Sequence, residues 1–233
     1  MAKRKIVGIL QARMGSSRFP GKSLIDIDGE PLLKRIINLQ KNCRLLDEYY
    51  VATSDLKIDD QIEALCIKLG TKYYRGSEKN VLQRFIDISD LTKADIIVRL
   101  TGDNPFVDED MINFVLAEFL KKENFIKYAC ASTRSGFPYG MSVEVFLANE
   151  LNKYRNTIDN NILEHVTYEM KKILKNKNIL LVESPIKCIN AKINLTIDYA
   201  VDLKFIFKLI KSLNKKNNYN YIDVLKMCNE VKL

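Results

Sequence analysis

The sequence predicts an α/β fold with a mostly parallel central sheet, and three observations carry that expectation. Short continuous apolar runs, the mark of strands buried on both faces, alternate with segments of helical period. The first run leads through a long loop into a helix, the opening of a βαβ unit. Of 233 residues 47% are hydrophobic and 28% charged, with only 9 Gly and 5 Pro, which excludes a disordered, collagen-like or low-complexity chain. One large domain is expected at this length.

Taken in order, Lys5-Ile-Val-Gly-Ile-Leu10 reads as a buried strand and the segment from Gln11 to Asp28 as a loop. Pro31 opens a helix whose apolar period runs Leu32, Leu33, Ile36, Ile37 and Leu39, at a first-turn position where a missing N–H costs nothing. A strand at Tyr49 to Thr53, a helix from Asp59 to Leu69, a short strand at Lys72 to Tyr74 and a helix from Ser77 to Leu91, with Ser77 as its cap, continue the alternation. Ala94 to Leu100 is a further buried strand, and Asp108 to Lys122 a helix with acidic residues in its first turn. Beyond about residue 125 the pattern weakens. Strands are expected at Ile126–Ser132, Val143–Leu147 and Ile179–Val182, and helices at Ile158–Leu174 and Ala200–Leu213.

The net charge of +8 is unevenly placed. Residues 1–35 carry 8 Lys or Arg against 3 Asp or Glu, residues 36–170 carry 16 against 21, and residues 171–233 carry 13 against 5. The C-terminal lysines fall at spacings that suit solvated helix faces, without the interleaved aromatics of a nucleic-acid stacking platform. No run approaches the roughly 20 apolar residues of a membrane helix. The N-terminus lacks the pattern of a signal peptide, so a cytoplasmic location is expected. The 5 cysteines are widely spaced with no CxxC pair and read as reduced residues in or near the core.

The N-terminal positive charge is different in kind, because it lies in the loop Gln11-Ala-Arg13-Met-Gly15-Ser16-Ser17-Arg18-Phe-Pro20-Gly21-Lys22. Gly and Ser let backbone N–H groups converge on an anion, and Arg13, Arg18 and Lys22 surround the same place. In an open α/β sheet, ligands bind beyond the carboxyl ends of the strands, where this loop lies. It is a candidate polyphosphate cradle, although an ordinary basic loop has the same composition. Neither GxxxxGK[ST] nor GxGxxG is present. Asp103, in the turn Thr101-Gly-Asp-Asn-Pro105, can face the same crevice; Asp198 either faces it too or caps the helix that follows.

The string GILQARMGSSRFPGKSLIDIDGEPLL resembles the N-terminal signature of the cytidylyltransferases that activate acylneuraminate and ketodeoxyoctonate, and is nearest to their spore-coat polysaccharide biosynthesis relatives. The resemblance continues, collinear over almost the whole chain, in VATSD (51–55), YRGSE (74–78), VRLTGDNP (98–105), EHVT (164–167) and NLTID (194–198). It implies a Rossmann-like three-layer nucleotidyltransferase fold of GT-A-like type, with a nucleotide-binding half over about residues 1–125 and an acceptor-binding and dimerising part over about 126–233. It implies CTP as donor, magnesium as cofactor, an anionic small-molecule acceptor such as an acidic sugar, pyrophosphate as leaving group, and a homodimer; the residues themselves, without a recognition motif or a long apolar run, lead to the expectation of no nucleic-acid or membrane partner.

Carried over by position, the resemblance assigns the triphosphate to Arg13, Arg18 and Lys22, with Gly15 and Ser16 as backbone donors and Gln11 and Ala12 alongside. Ala52, Ser54 and Arg75 fall where the family lines its base and ribose pocket. Asp103 and Asp198 match the two carboxylates that hold magnesium, and Arg13, Lys22 and Asp103 are the catalytic set. Glu144, Glu164 and His165 are acceptor-side candidates. Two positions depart from the pattern: Ser142 stands where an aspartate is usual, and Leu163 where an arginine is often found, both on the acceptor side. A different triphosphate, a phosphate-monoester acceptor, a catalytically silent protein and a nucleic-acid-binding protein are the alternative readings. The irregular segment 132–147 is expected to be an arm exchanged between subunits.

Overall fold

The computed structural model describes residues 3–157, 159, 163–174, 176–190, 193–214 and 219–230. A seven-stranded sheet forms its centre, in the order β5-β4-β1-β6-β8-β7-β9. The strands are β1 (Ile6–Gln11), β4 (Glu48–Ser54), β5 (Lys72–Gly76), β6 (Ile96–Thr101), β7 (Tyr128–Ala131), β8 (Val143–Leu147) and β9 (Ile179–Leu181). All run parallel except β8, which is antiparallel to both β6 and β7. A mostly parallel sheet is thus present, and it carries the chain's regular alternation.

The sheet separates two apolar layers, because successive strand residues point to opposite faces. Leu10, Val51 and Val98 face one side, which is covered by α1 (Leu32–Gln40), α4 (Glu109–Leu120), α7 (Asp202–Leu213) and α8 (Tyr221–Glu230). Ile9, Ala52 and Ile97 face the other, covered by α3 (Val81–Thr92), α5 (Asn149–Asn152) and α6 (Tyr168–Ile173). Helix α2 (Asp60–Lys68) adds Ile62 and Cys66 to the first layer. Cys43, Cys66, Cys130 and Cys228 are buried and Cys188 half-buried, all five as free thiols. Among the described residues no helix is long and apolar enough to cross a membrane.

Several local expectations shift. Helix α3 starts at Val81 and is capped by Asn80, whose side chain accepts from the Gln83 N–H at 2.8 Å; the Ser77 hydroxyl instead receives the Asn80 N–H. Part of the loop after β1 is a hairpin, β2 (Asp26–Ile27) against β3 (Glu30–Pro31), turned at Asp28 and Gly29. Positive φ at both turn residues suits the Asp-Gly pair. In the expected helix Ile158–Leu174, residues 158 and 160–162 lie outside the described ones; after residue 164 the chain turns before α6 begins. Helix α8 escaped the sequence reading altogether. Within the segment expected to form the arm, residues 143–147 form β8, which sits between β6 and β7 with Val143, Val145 and Phe146 fully buried.

The carboxyl ends of β1, β4 and β6 lie level, with Gln11 in register with Ala52 on one side and Thr101 on the other. Facing that edge, the chain at Tyr139 pairs with Asn194, and Gly140 passes so close to the next segment that an added Cβ would lie 2.5 Å from backbone atoms of Leu195 and Thr196. Its φ of +92° adds backbone strain for any side chain. Gly140→Ala is expected to cost about 2 kcal/mol or more, lowering Tm by about 4 °C or more. Gly29, also at positive φ but with nothing within 4 Å, is the control: Gly29→Ala should lose less, and the reverse order in a thermal melt would contradict this account.

Candidate active site

The loop after β1 is folded by one buried carboxylate. Asp59, 1% exposed at the start of α2, accepts the Met14 N–H at 2.7 Å on one oxygen and both the N–H and the hydroxyl of Ser54 on the other. Within the loop, the N–H groups of Ser16 and Gly21 donate to the Met14 carbonyl, and the Ser23 hydroxyl donates to the Arg13 carbonyl at 2.9 Å. The N–H groups of Gly15, Ser17 and Arg18 have no acceptor among the described residues and stand at the exposed rim.

Lys22 joins three distant segments. Its stem is buried, and its ammonium group donates to Asp103 Oδ2 at 3.1 Å and to the Ile197 carbonyl at 2.8 Å, with Asp198 Oδ1 at 3.6 Å. Asp198 also accepts from Arg18 at 2.7 Å, and the Arg18 guanidinium lies 5.5 Å from the centre of the Tyr199 ring. The Asp198 carboxylate turns to these partners, and its own N–H and that of Tyr199 are held by Asp202 Oδ2 at the start of α7. Asp103 is held from its other side by backbone, its carbonyl accepting the Ile197 N–H at 3.0 Å. Two carboxylates therefore share one cation directly beneath the basic loop.

The opposite wall is built on Glu144. Because β8 is antiparallel, its register sets Glu144 beside Arg99 of β6. Glu144 is 4% exposed and accepts from Arg99 and Tyr128 at 2.5 Å each, from Lys171 at 2.6 Å and from the Thr167 hydroxyl at 3.1 Å. Burial by itself would raise this carboxyl, but Arg99 and Lys171, with the hydrogen bonds from Lys171 and Tyr128, overcome it and hold the group at about 2. Arg99 in turn donates to Gln11 at 3.1 Å, so the wall is tied to the end of β1.

These groups line one cleft of about 500 Å³. Of the positions singled out in the sequence it brings together Gln11, Ala12, Arg13, Ser16, Arg18, Lys22, Asp103, Glu144, Glu164, His165 and Asp198. Glu164 and His165 are exposed on it, and Glu164 lies 3.5 Å from Arg13. Four positions fall outside the lining. Ala52 is fully buried in the core, with its carbonyl holding the Ala12 N–H, and Ser54 is buried against Asp59. Arg75 is engaged by Asp60, Glu63 and the carbonyls of Ser54 and Leu56. Gly15 lies beside the Glu78 carboxylate, which would have to shift to admit a Cβ. The three positions that the resemblance assigns to base and ribose thus lie outside the cleft lining and make contacts within the protein. Ser142 lines the cleft, whereas Leu163 packs against the core.

Arg84, Arg99, Lys171 and Asp59 were missed. Arg99 had a signal, being the charge inside the apolar strand IIVRL, and Arg84 another, at a buried position of an apolar helix face. Asp59 and Lys171 look like any solvated helix residue until the fold is known.

A basic loop over a parallel sheet edge, with two carboxylates sharing a cation below it, is the arrangement of a nucleotidyltransferase. The family described as cytidylyltransferase matches residues 7–226, and the chain belongs to that family. It is 37% identical over 217 residues to an uncharacterized protein of Methanocaldococcus jannaschii, covering 91% of this chain and 86% of that one. It is 30% identical over 230 residues to the spore coat polysaccharide biosynthesis protein SpsF of Bacillus subtilis, covering 96% and 94%. The solved structure of a cytidylyltransferase from Leptospira borgpetersenii superposes with a TM-score of 0.86 at 25% identity, over 98% of this chain and 95% of that one.

Glu144 sets a pH dependence. Its folded value of about 2 lies below the ordinary 4.5, so its stabilisation is complete above about pH 4.5 and is lost as pH falls toward 2. Glu144→Gln leaves Arg99 and Lys171 without their anion and is expected to cost about 3 kcal/mol at neutral pH. Urea unfolding should show that gap narrowing steadily between pH 4.5 and 2.

Proposed function

We propose that the protein transfers a cytidylyl group from CTP to an acidic sugar or related anionic metabolite, with magnesium, for surface-glycan synthesis. The observation that carries this reading is the pair Asp103 and Asp198 converging on Lys22 under the basic loop. An acceptor oxygen attacks the α-phosphorus; the bond from that phosphorus to the bridging oxygen breaks, and its electron pair leaves with pyrophosphate. The polysaccharide role in the name of the Bacillus subtilis relative supports a glycan-directed acceptor.

The donor set fits magnesium, which binds through one or two carboxylates plus phosphate oxygens. Asp103 and Asp198 already share one cation, the Lys22 ammonium, at 3.1 and 3.6 Å. Held by these two residues, magnesium would supply positive charge to the transferred phosphoryl group. The chain's own groups account for the rest. Arg13 and Arg18 flank the phosphate chain, the free N–H groups of Gly15, Ser17 and Arg18 donate to it, and Lys22 balances charge on the departing pyrophosphate. Arg99, Lys171 and Thr167 orient the Glu144 wall, leaving Glu164 and His165 to meet the acceptor. Under this reading the protein acts in the cytoplasm as a homodimer, as the family resemblance implies, with both halves of the chain working as one domain.

Pyrophosphate release tests the reading. With magnesium, CTP should support turnover in preference to UTP, GTP or ATP once an acceptor from a panel of sugar acids is supplied, and chelation should abolish it. Asp103→Ala is expected to reduce kcat by about a hundredfold or more in a variant that still melts cooperatively. Wild-type pyrophosphate release by that variant would overturn the metal role.

A further inference from the structure

Arg84 is unused by any step above, yet it lines the same cleft as Arg13. It rises from the buried face of α3 and is only 2% exposed. No carboxylate among the described residues lies within ion-pair distance of it, and its Nε is buried without any hydrogen-bond partner. Among the described residues its one hydrogen bond runs from Nη1 to the Ala52 carbonyl at 3.3 Å, an oxygen that also accepts the Ala12 N–H. The side chain reaches this place past Gly76, where an added Cβ would meet Arg84 Cγ at 2.9 Å. A buried cation without a paired counter-charge is costly, and the more distant carboxylates of Asp59, Glu78 and Asp55 offset only part of that cost. Burial first, and then the nearby Arg13 charge, lower its affinity for a proton, to about 10. Arg13 is itself only loosely matched, with Glu164 at 3.5 Å and Glu78 at 3.9 Å.

We infer that Arg84 and Arg13 together form an anion subsite in the cleft, filled by a phosphate group of the bound nucleotide. The missing counter-charge is then the ligand's. The assignment rests on the nucleotidyltransferase reading for its ligand, and on Arg84 itself for its site. It separates from a structural role by its sign. A structural arginine stabilises the empty protein, whereas this one strains it and should be dispensable until an anion arrives.

The test uses the full chain, with Arg84→Met and Arg84→Lys, melted alone, with inorganic tripolyphosphate, with CTP plus magnesium, and with a sugar acid. The empty Arg84→Met protein is expected to melt at or above the wild-type temperature while its Kd for tripolyphosphate and CTP rises at least tenfold. Arg84→Lys should recover part of that loss, and sugar-acid binding should stay unchanged. A lowered Tm of the empty Arg84→Met protein with tripolyphosphate affinity within twofold of wild type overturns the subsite. So does a wild-type protein that tripolyphosphate fails to stabilise, or a loss confined to the sugar acid. If tripolyphosphate binds in an Arg84-dependent way but CTP gives no shift, the subsite stands and the cytidylyl reading falls; CTP binding that ignores Arg84 has the opposite meaning.

Discussion

The ammonium group of Lys22 is the contact on which the cleft depends. It draws together residues 81 and 175 positions away in sequence, the turn after β6 and the segment before α7. Without it two carboxylates would face each other at the cleft floor with Arg18 alone between them and solvent. With it, they are neutralised in place and aimed at the loop above. The interaction is favourable because the lysine stem is buried while two of the ammonium's donors find acceptors in Asp103 and the Ile197 carbonyl and Asp198 lies within ion-pair distance, which recovers much of the hydration lost on burial.

The two walls solve the same electrostatic problem differently. On the Lys22 side positive and negative charges meet at a point open to the cleft. On the Glu144 side the charge is enclosed: one carboxylate is surrounded by Arg99, Lys171, Tyr128 and Thr167, and the reversal of β8 is what brings it next to Arg99. That wall therefore acts as scaffold, and chemistry falls to groups that still have unfilled positions. Under the proposed reading Glu164, His165 and Ser142 are such groups on the acceptor side, and Arg84 is one beneath the loop.

Much of this was legible in the sequence. Short continuous apolar runs mark β1, β4 and β6, and composition and turn chemistry single out the basic loop and Asp103. What failed did so for identifiable reasons. Asp198 was ambiguous because a second acid, Asp202, lies four positions on at the start of the helix, and only the fold shows which of them turns toward Arg18. Ser54 and Arg75 sit in motif blocks, yet the same residue types serve equally to tie β4 and β5 to α2, which linear spacing cannot distinguish from ligand contact. Beyond residue 125 the strands are short and out of spatial order, β8 lying between β6 and β7, so pairing there depends on long-range register that no local pattern encodes.

The clasp made by Asp59 also bears on the free energy of binding. Since one buried carboxylate already fastens the Met14 end of the loop to the end of β4, much of the backbone's freedom is surrendered during folding and is not lost again when a ligand enters. Under the proposed reading a nucleotide meets a loop whose Met14 end is already fastened, so less of its binding free energy goes to ordering backbone.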